Sequence, residues 1–490
     1  MIARLARAAA ALAALVPAAL AAQIPTAEYA ARRSALAQAL PGDGVVVAVG
    51  AGEPAQDFLS FNQHTPFLYL TGFREPNAYL VMVRRGGAVS ATLFVQPKNP
   101  AQEVWTGRRV GPAGTEALVG LRGRDVREVR TALDSLVGLG LPIFTVGAGG
   151  ENGVGAPGSA DSLVRAVAKA RGGAPVQDVT ATVAQLRGTK SAAEIALIRR
   201  AVDVTVAAHR EAMAAAEPGM NEFELQALVE YTFRRNGADR PSFATIIGSG
   251  PNSTTLHYNA DDRFMAAGDV VVMDIGASYA GYAADVTRTI PVSGTFTSAQ
   301  RDVYQLVRDA QAAAERAARV GAPAQAMTDA AGAVVAAGLA RLGLIEAPDA
   351  TYDCGSGGEC AQWRLYWMHG LGHGIGLDVH DPDQYYRTGR LAEGSAFTIE
   401  PGVYVRENLL QILPDTPRNR ALIARIRPAV ERYKNIGVRI EDDYVVTAAG
   451  VEWISRAPRE LAEVEAAMRG PYAGPARRDP AVVERYRPTQ

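Results

Sequence analysis

The chain has 490 residues, and its 50 lysine and arginine residues nearly balance 51 aspartate and glutamate residues, for a formal net charge of -1. This balance gives no electrostatic reason to expect a nucleic-acid partner, and two cysteines exclude a disulfide-built scaffold and a cysteine-ligated zinc ribbon. The length predicts two or three domains. Histidine is scarce at six residues, yet three of them lie between His369 and His380.

The first 22 residues are predicted to be a signal peptide. Arg4 and Arg7 precede an uncharged run over residues 8–22, in which Ala19 and Ala21 are the small residues of a signal-peptidase site. The run is shorter than the roughly 20 residues that span a bilayer, so cleavage is favoured over an uncleaved anchor. We therefore expect an exported protein, periplasmic or secreted, with no stable membrane insertion after the signal is removed.

Residues 23–176 are predicted to form an α/β domain in which helices flank a mixed sheet. Helices are predicted at 28–39, 113–119 and 160–170, and strands at 44–49, 67–70, 78–83, 90–95 and 143–146. The GxGxxG pattern at 153–158 does not follow a strand directly, so it is interpreted as a loop and not as a nucleotide site. Residues 172–175 form the predicted linker.

The second predicted domain, residues 177–468, precedes a loosely held tail at 469–490. Its predicted helices cover 190–215, 298–319 and 324–342, and its strand-rich blocks cover 242–247, 269–274 and 283–290. Cys354 and Cys360 enclose a flexible loop, which leaves a local disulfide and two free thiols both open. Residues 406–436 are expected to form a long polar connection.

Two aspartates of the second domain are predicted to face each other across a hairpin. Asp274 ends a buried strand and Asp285 lies on the returning strand. A turn centred between residues 279 and 280 pairs them directly, with about 5 Å between their Cβ atoms. Two ionised carboxylates held this close in an apolar strand need a compensating cation, which favours a metal site over two turn residues.

A glycine-rich segment and two glutamates complete the candidate site. His369 and His373 have the spacing of a helical zinc site, but four glycines in eight residues argue against a helix. Glycine there permits close approach of the backbone to a site. Glu400 ends one predicted strand and Glu441 lies in another. Such an oxygen-rich set suits two divalent ions, with Mn²⁺ expected and Co²⁺ or Zn²⁺ as alternatives.

The order of these residues resembles that of the dinuclear metallopeptidases of the pita-bread fold, most closely aminopeptidase P, with prolidase beside it. Residues 369–381 are similar to the proline-peptidase signature at every constrained position. Residues 67–76 and 103–109 are similar to segments of the family's first domain, and residues 187–194 to the entry of its catalytic domain. The resemblance implies metal ligation by Asp274, Asp285, His373, Glu400 and Glu441.

The resemblance also implies a role for each residue. Asp285 and Glu441 would bridge the two ions, Asp274 would hold one ion, and His373 with Glu400 would hold the other. Glu400 would accept the proton of the attacking water, and His369 and His380 would stabilise the tetrahedral intermediate. The residues implied to act in catalysis or to contact substrate are His257, His369, His380, Tyr404 and Arg439. His64 and His209 match no motif.

The resemblance therefore implies an exported aminopeptidase that hydrolyses the N-terminal Xaa-Pro bond of peptides with a metal-bridging water. Its expected partners are proline-containing peptides and further copies of the chain in a homo-oligomer. One alternative is a dipeptidase restricted to Xaa-Pro, because residues 348–364 and 406–436 adjoin the site and leave the preferred peptide length open. The other is a metal-free pita-bread binding protein, against which the five intact ligand candidates argue.

Overall fold

The computed structural model describes residues 23–54, 56, 60–149, 162–170, 172–173 and 175–474. The predicted signal peptide and the GxGxxG loop lie outside these residues, as does most of the predicted tail. The contacts among the described residues divide the chain into two compact units. One comprises Gln23–Thr189 with His380–Pro382, and the other comprises Lys190–Val379 with the chain from Asp383 onward. The first unit thus extends beyond residue 176, where the sequence predicted its end.

The first unit is a mixed sheet flanked by helices, as predicted. Its strands are β1 Gly44–Val49, β2 Tyr79–Arg85, β3 Ala88–Val95, β4 Gly123–Asp125, β5 Ile143–Val146 and β6 Val176–Asp178. Its helices are α1 Thr26–Ala39, α2 Thr65–Thr71, α3 Pro100–Thr106, α4 Thr115–Val119, α5 Val129–Val137, α6 Ser162–Ala170 and α7 Thr180–Arg187. The strand order is β4-β3-β2-β1-β5-β6, with β1, β2 and β3 antiparallel and the outer pairings parallel. Val47 of the sheet packs in one cluster with Leu133 of α5 and Val167 of α6.

The strand predicted at residues 67–70 is wrong, because these residues lie in helix α2. Pro66 occupies the first turn, where a missing N–H costs nothing, and Gly72 ends the helix in a left-handed conformation with φ 70°. Every residue from Pro66 to Thr71 is buried. A helix buried on all sides has no polar face, so its apolar run has no periodicity that distinguishes it from a buried strand.

The second unit combines long helices with several small antiparallel sheets. Its helices are α8 Ala192–Ala215, α9 Glu222–Arg235, α10 Ser298–Ala317, α11 Gln325–Arg341, α12 Gln384–Thr388, α13 Pro417–Tyr433 and α14 Leu461–Ala467. Its strands are β7 Arg240–Pro241, β8 Ile246–Ser249, β9 Val270–Ile275, β10 Ala277–Tyr279, β11 Tyr282–Ala283, β12 Val286–Pro291, β13 Thr351–Gly355, β14 Gly358–Ala361, β15 Ala396–Ile399, β16 Gly402–Val405, β17 Ile436–Arg439, β18 Asp442–Thr447 and β19 Gly450–Trp453. The sheets are β12-β9-β8, β15-β18-β19, β16-β17, β11-β10-β7 and β13-β14.

The predicted direct pairing of Asp274 with Asp285 is wrong by two residues. Asp274 lies opposite Thr287 in the β9–β12 ladder, and Asp285 lies in the break between β11 and β12. The turn falls at Ala280–Gly281, which both have positive φ, as a two-residue hairpin of type I′ requires. It is therefore centred one residue later than predicted. A pairing shift of two residues preserves the side-chain face in a regular ladder, so only the direct opposition is lost.

The connection predicted to be polar at residues 406–436 contains the seventeen-residue helix α13. Thr416 caps its N-terminus by accepting from the Asn419 N–H, and Leu422, Ile426 and Val430 form its buried stripe at a spacing of four. A high content of arginine, together with a proline inside the helix, hid this stripe in the sequence.

Cys354 and Cys360 are joined in a disulfide across the β13–β14 hairpin, so the structure has the local disulfide and not two free thiols. Among the described residues, no helix has both the length and the apolar character that crossing a membrane requires.

Candidate metal centre

Four of the predicted ligands converge in the second unit. Ligand atoms of Asp285, His373 and Glu441 all lie within 4.8 Å of one another. Nε2 of His373 lies 3.4 Å from Oδ2 of Asp285, 3.6 Å from Oε1 of Glu400 and 3.8 Å from Oε1 of Glu441. An imidazole nitrogen surrounded by three carboxylates at this range is an arrangement that a divalent cation can fill.

The glycine-rich segment places His373 beside Glu400 by running along β15. The Thr398 N–H donates to the His373 carbonyl at 2.8 Å, and the Glu400 N–H donates to the Leu371 carbonyl at 2.7 Å. A Cβ atom on Gly372 would lie 2.1 Å from the carbonyl oxygen of Thr398, so only glycine allows this approach. The segment is extended rather than helical, in agreement with the sequence argument.

The tautomer of His373 follows from its backbone contact. Nδ1 lies 3.0 Å from the carbonyl oxygen of Gly374, which can only accept a hydrogen bond. Nδ1 therefore carries the proton, and the lone pair of Nε2 faces the carboxylates. A carbonyl that fixes the ring in this way is a common support for a metal-ligating histidine.

The fifth predicted ligand, Asp274, lies at the end of β9 and contacts Arg439. Its Oδ2 accepts a hydrogen bond from Nη2 of Arg439, while its Oδ1 is buried without a hydrogen-bond partner. Its charge acts on the other carboxylates: it contributes to the raised pKa values of Asp285 and Glu441. Asp274 is thus close enough to share the electrostatic environment of the other candidate ligands.

The carboxylates of this cluster are electrostatically unsatisfied. Burial, followed by the charge of Asp274, raises the pKa of Glu441 to about 8. Burial and the charge of Glu441 raise the pKa values of Asp285 and Glu400 well above their usual range. Oδ1 of Asp285 and Oε1 of Glu441, like Oδ1 of Asp274, are buried without a partner.

A buried carboxylate oxygen without a donor is costly, and a cation removes the cost. The five predicted residues offer carboxylate oxygens and one imidazole, which are donors that suit divalent cations. The orphaned oxygens show that these side chains fit such ions.

A hydrogen-bonded chain runs along the site from Arg439 through Tyr404 to His369, which lies beside Glu400. Nη1 of Arg439 donates to the Tyr404 hydroxyl at 2.8 Å, and that hydroxyl lies 2.9 Å from Nε2 of His369. Nδ1 of His369 lies 2.7 Å from the carbonyl of Gly370 and 3.4 Å from Nε1 of Trp367. Nδ1 also lies 3.6 Å from Oε2 of Glu400.

His369 and Tyr404 are both neutral in this chain at neutral pH. Burial and the charge of Arg439 lower the pKa of His369 to about 3. Burial raises the pKa of Tyr404 to about 12. Arg439 is therefore the charged member of a chain whose other two members are uncharged.

The structure also locates the remaining predicted histidines. His257 is exposed in a turn after the 3-10 helix Gly250–Thr254, and its charge contributes to the lowered pKa of His369. His380 is half-buried and belongs by its contacts to the first unit. His64 contacts the carbonyl of Val49 at 3.1 Å. His209 is fully buried on α8, with Nε2 2.9 Å from the carbonyl of Val286.

Two residues of the site were missed by the sequence argument. Oδ2 of Asp443 accepts from the N–H of Asp285 at 3.1 Å, and its Oδ1 is buried without a partner. The Thr287 hydroxyl donates to Oε2 of Glu441 at 2.7 Å. Each residue lies two positions after a predicted ligand, and this period of two along an extended chain was the available signal.

Known proteins resemble the chain over both units. The sequence model of metallopeptidase family M24 matches residues 196–448, and that of the aminopeptidase P N-terminal domain matches residues 29–140. The chain is 34% identical to Xaa-Pro aminopeptidase of Escherichia coli over 91% of its own length and 98% of the relative's length.

Two solved structures of Escherichia coli aminopeptidase P are similar to this fold. One is the zinc-substituted enzyme in complex with product, with a TM-score of 0.77 and 31% identity. The other holds the inhibitor Pro-Leu, with a TM-score of 0.77 and 32% identity. Both matches cover 91% of this chain and 98% of the solved chain.

Proposed function

We infer the function from the premise that this chain belongs to the aminopeptidase P group of metallopeptidase family M24. The family, the pita-bread fold of the catalytic domain and the Xaa-Pro aminopeptidase activity predicted from the sequence are confirmed by these relatives. Beyond this, we propose that the enzyme uses two divalent ions, preferentially Mn²⁺, and that it acts on peptides longer than Xaa-Pro. The observation that carries the proposal is the set of orphaned carboxylate oxygens around His373.

The predicted ligands Asp274, Asp285, His373, Glu400 and Glu441 would hold the ions. Two divalent ions in such a site supply Lewis acidity and a water molecule of lowered pKa, so no serine or cysteine nucleophile is required. The backbone contact of His373 keeps Nε2 available as a ligand, and Thr287 orients Glu441 through its hydroxyl. These contacts preorganise the donors before ions bind.

Glu400 is the proposed proton acceptor. Its Oε1 faces Nε2 of His373 and its Oε2 faces Nδ1 of His369, so the carboxylate lies between the ion ligands and the hydrogen-bonded chain. Bound cations favour the ionised form of a carboxylate, which is the form that accepts a proton. Glu400 can then pass the proton to the proline nitrogen, which carries no hydrogen in the Xaa-Pro imide bond.

His369, Tyr404 and Arg439 are proposed to bind and orient the substrate near the developing negative charge. Arg439 holds the Tyr404 hydroxyl and Asp274 at the same time, which fixes both groups relative to each other. Donors fixed in advance stabilise a developing oxyanion without reorganisation. His257 and His380 stay predicted substrate contacts.

Hydrolysis of an Xaa-Pro dipeptide and of an Xaa-Pro-Xaa tripeptide, compared in Mn²⁺, tests the proposal. We expect release of the first residue from the tripeptide. Cleavage of the dipeptide alone would assign the enzyme to the prolidase type, and cleavage of neither would contradict the proposed activity. The same assays after reconstitution with Mn²⁺, Co²⁺ or Zn²⁺ rank the metals, and Mn²⁺ is expected to give the highest rate.

We propose export and self-association on separate observations. Residues 1–22 have the charge and apolar pattern of a signal peptide. The mature N-terminus is therefore expected directly after Ala21 or Ala22, and N-terminal sequencing of the protein purified from its native host checks this.

Val104 and Trp105 are adjacent on α3 and are 76% and 72% exposed, which favours an apolar contact with a second copy. Light scattering of wild type and Trp105→Ser checks the homo-oligomer.

A further inference from the structure

The segment Ser249–Arg263 carries the predicted substrate residue His257, yet most of it lacks regular secondary structure. After the end of β8 it forms only the 3-10 helix Gly250–Thr254 and a turn before β9 begins. Its backbone is held to α9 by the N–H of Glu222, which donates to the carbonyl of Arg263 at 3.0 Å, and side-chain contacts supply most of its other attachments. The contacts that this segment makes with neighbouring residues therefore determine where His257 lies.

One buried carboxylate collects donors from four residues of this segment. Glu222, the first residue of α9, has no exposed surface. Its Oε1 accepts from the Ser249 N–H and hydroxyl, both at 2.6 Å, and from Nδ2 of Asn252 at 3.3 Å. Its Oε2 accepts from the Tyr258 hydroxyl and the Arg263 N–H, both at 2.9 Å. The two ends of the segment and its middle are thus held by a single side chain.

The same segment is joined to the candidate metal centre. Nη2 of Arg439 donates to the carbonyl oxygen of Leu256 at 3.3 Å. The Ser253 hydroxyl accepts from the N–H of Gly437, two residues before Arg439 on β17, at 2.9 Å. His257 therefore lies between Leu256, which contacts the site arginine, and Tyr258, which contacts Glu222.

We propose that Glu222 is a positioning residue that holds His257 toward the substrate, through Ser249, Tyr258 and Arg263. This inference rests on the proposed Xaa-Pro aminopeptidase function of the site. Glu222 contacts no candidate metal ligand, and it acts only through the segment. A glutamine of equal size cannot replace it, because its NH₂ group faces N–H or O–H donors in either orientation.

The test compares Glu222→Gln with Glu224→Gln, a matched control in the same helical turn. Glu224 accepts from the Asn221 N–H at the start of α9 and is not placed in the site. In Glu222→Gln we expect faster hydrogen–deuterium exchange across residues 249–263 and unchanged Mn²⁺ content. We expect kcat/KM on the tripeptide to fall by about tenfold to a hundredfold, the range that misplacement of a group by about 1 Å produces. Glu224→Gln is expected to match wild type in all three measurements.

A double-mutant cycle separates positioning from general support of the fold. If Glu222 acts through His257, then Glu222→Gln lowers the activity of a His257→Ala enzyme by less than about twofold, because coupled residues are not additive. Independent, multiplying losses would overturn the proposal, as would unchanged exchange in the segment. If Glu222→Gln does not fold, Tyr258→Phe, which removes one hydroxyl, takes its place in the cycle and is expected to show the same coupling with a smaller loss.

The exchange measurement does not depend on turnover. A wild-type enzyme that cleaves no Xaa-Pro peptide would therefore contradict the proposed function, while exchange would still decide whether Glu222 orders the segment.

Discussion

Three consecutive acidic residues, Glu441, Asp442 and Asp443, are all buried, but they have opposite electrostatic surroundings. Asp442 accepts from Arg288 at 2.6 Å and from Arg459 at 2.9 Å. Burial alone would raise the pKa of Asp442, but the two guanidinium groups bring it below its usual value. Glu441 and Asp443 each keep a buried oxygen without a partner, and burial raises the pKa of both.

This difference shows how one extended segment contributes to the stability of the fold through Asp442 and to the candidate metal site through Glu441 and Asp443. Side chains alternate in direction along an extended chain, so Asp442 points away from the side that Glu441 and Asp443 share. On the side of Asp442, Arg288 and Arg459 complete an ion-pair network. On the other side, Oε1 of Glu441 and Oδ1 of Asp443 have no hydrogen-bond partner among the described residues, which leaves them for an external cation.

Asp285→Asn is expected to have the largest effect, because it removes one of the predicted metal ligands. Activity on an Xaa-Pro-Xaa peptide in Mn²⁺ should fall by more than about a hundredfold, a loss that even supporting residues of metal sites can cause. The exposed Asp349→Asn is the matched control and should retain full activity. Substantial turnover by Asp285→Asn at unchanged metal content would contradict the prediction that Asp285 is a metal ligand.

Arg288→Met tests the other side of the strand, where the expected loss is in stability. Removing one partner of a buried ion pair costs about 3–5 kcal/mol, since the remaining charge stays buried. Arg199→Met, which breaks the partly exposed pair with Glu452, should cost less than about 1 kcal/mol. Denaturant unfolding measures both variants, and equal losses would mean that the Arg288–Asp442 pair is not the stabilising element.

Asp443→Ala tests whether a residue on the metal-binding side supports the ligands. The variant removes the acceptor that holds the backbone N–H of Asp285, so Mn²⁺ affinity should weaken by about 10–100-fold. Asp443→Asn keeps an acceptor oxygen, so its Mn²⁺ affinity should weaken less than that of Asp443→Ala. Calorimetric titration gives both affinities, and wild-type affinity in Asp443→Ala would remove Asp443 from the site.

The smallest expected effect concerns how the free energy of unfolding of metal-free protein depends on pH. Glu441 and Asp442 are expected to contribute to it with opposite pH dependence. The folded pKa of Glu441 is raised from 4.5 to about 8, so the folded protein binds a proton that the unfolded chain releases. Stability from this group is therefore present at low pH and declines as pH rises from about 4.5 to about 8. Asp442 has a lowered pKa, so its contribution is present above about pH 4 and is lost on acidification.

Unfolding free energies of metal-free wild type and Glu441→Gln across this pH range measure the effect. The unfolding free energy of Glu441→Gln should decline less steeply between about pH 4.5 and pH 8, because the variant lacks one of the groups that titrate in this pH range. Saturating Mn²⁺ should flatten the wild-type curve. An unchanged slope in Glu441→Gln would show that Glu441 does not hold the extra proton.

The sequence was sufficient for those parts of the site that local pattern determines. Glycines around His373 argued against a helix and for close approach of the backbone, and Gly372 does approach the backbone of Thr398 closely. A strand-end carboxylate such as Glu400 would alone be read as an edge-strand charge, and the family resemblance was what made it a predicted ligand. Three long helices of the second unit, α8, α10 and α11, were predicted close to their observed bounds, whereas α9 and α13 were not predicted.

Other features depend on residues that are far apart in the chain. Asp442 and Asp443 are the same residue type, and they are distinguished chiefly by Arg288 and Arg459, which are far from Asp442 or outside its strand and form ion pairs with it. The hairpin register depended on the turn at Ala280 adopting positive φ, a conformation uncommon for alanine. Helix α2 lacked a periodic pattern because it is buried on every side.

Titration of metal-free wild-type protein with Mn²⁺ at neutral pH, with the bound ions counted per chain, measures directly whether the carboxylates around His373 form a dinuclear metal site. We expect two ions per wild-type chain, as a dinuclear hydrolytic site requires, and fewer for Glu441→Gln. Failure of the wild-type chain to bind any divalent ion would exclude the metal site, because the carboxylates around His373 would then have to be satisfied by protons alone.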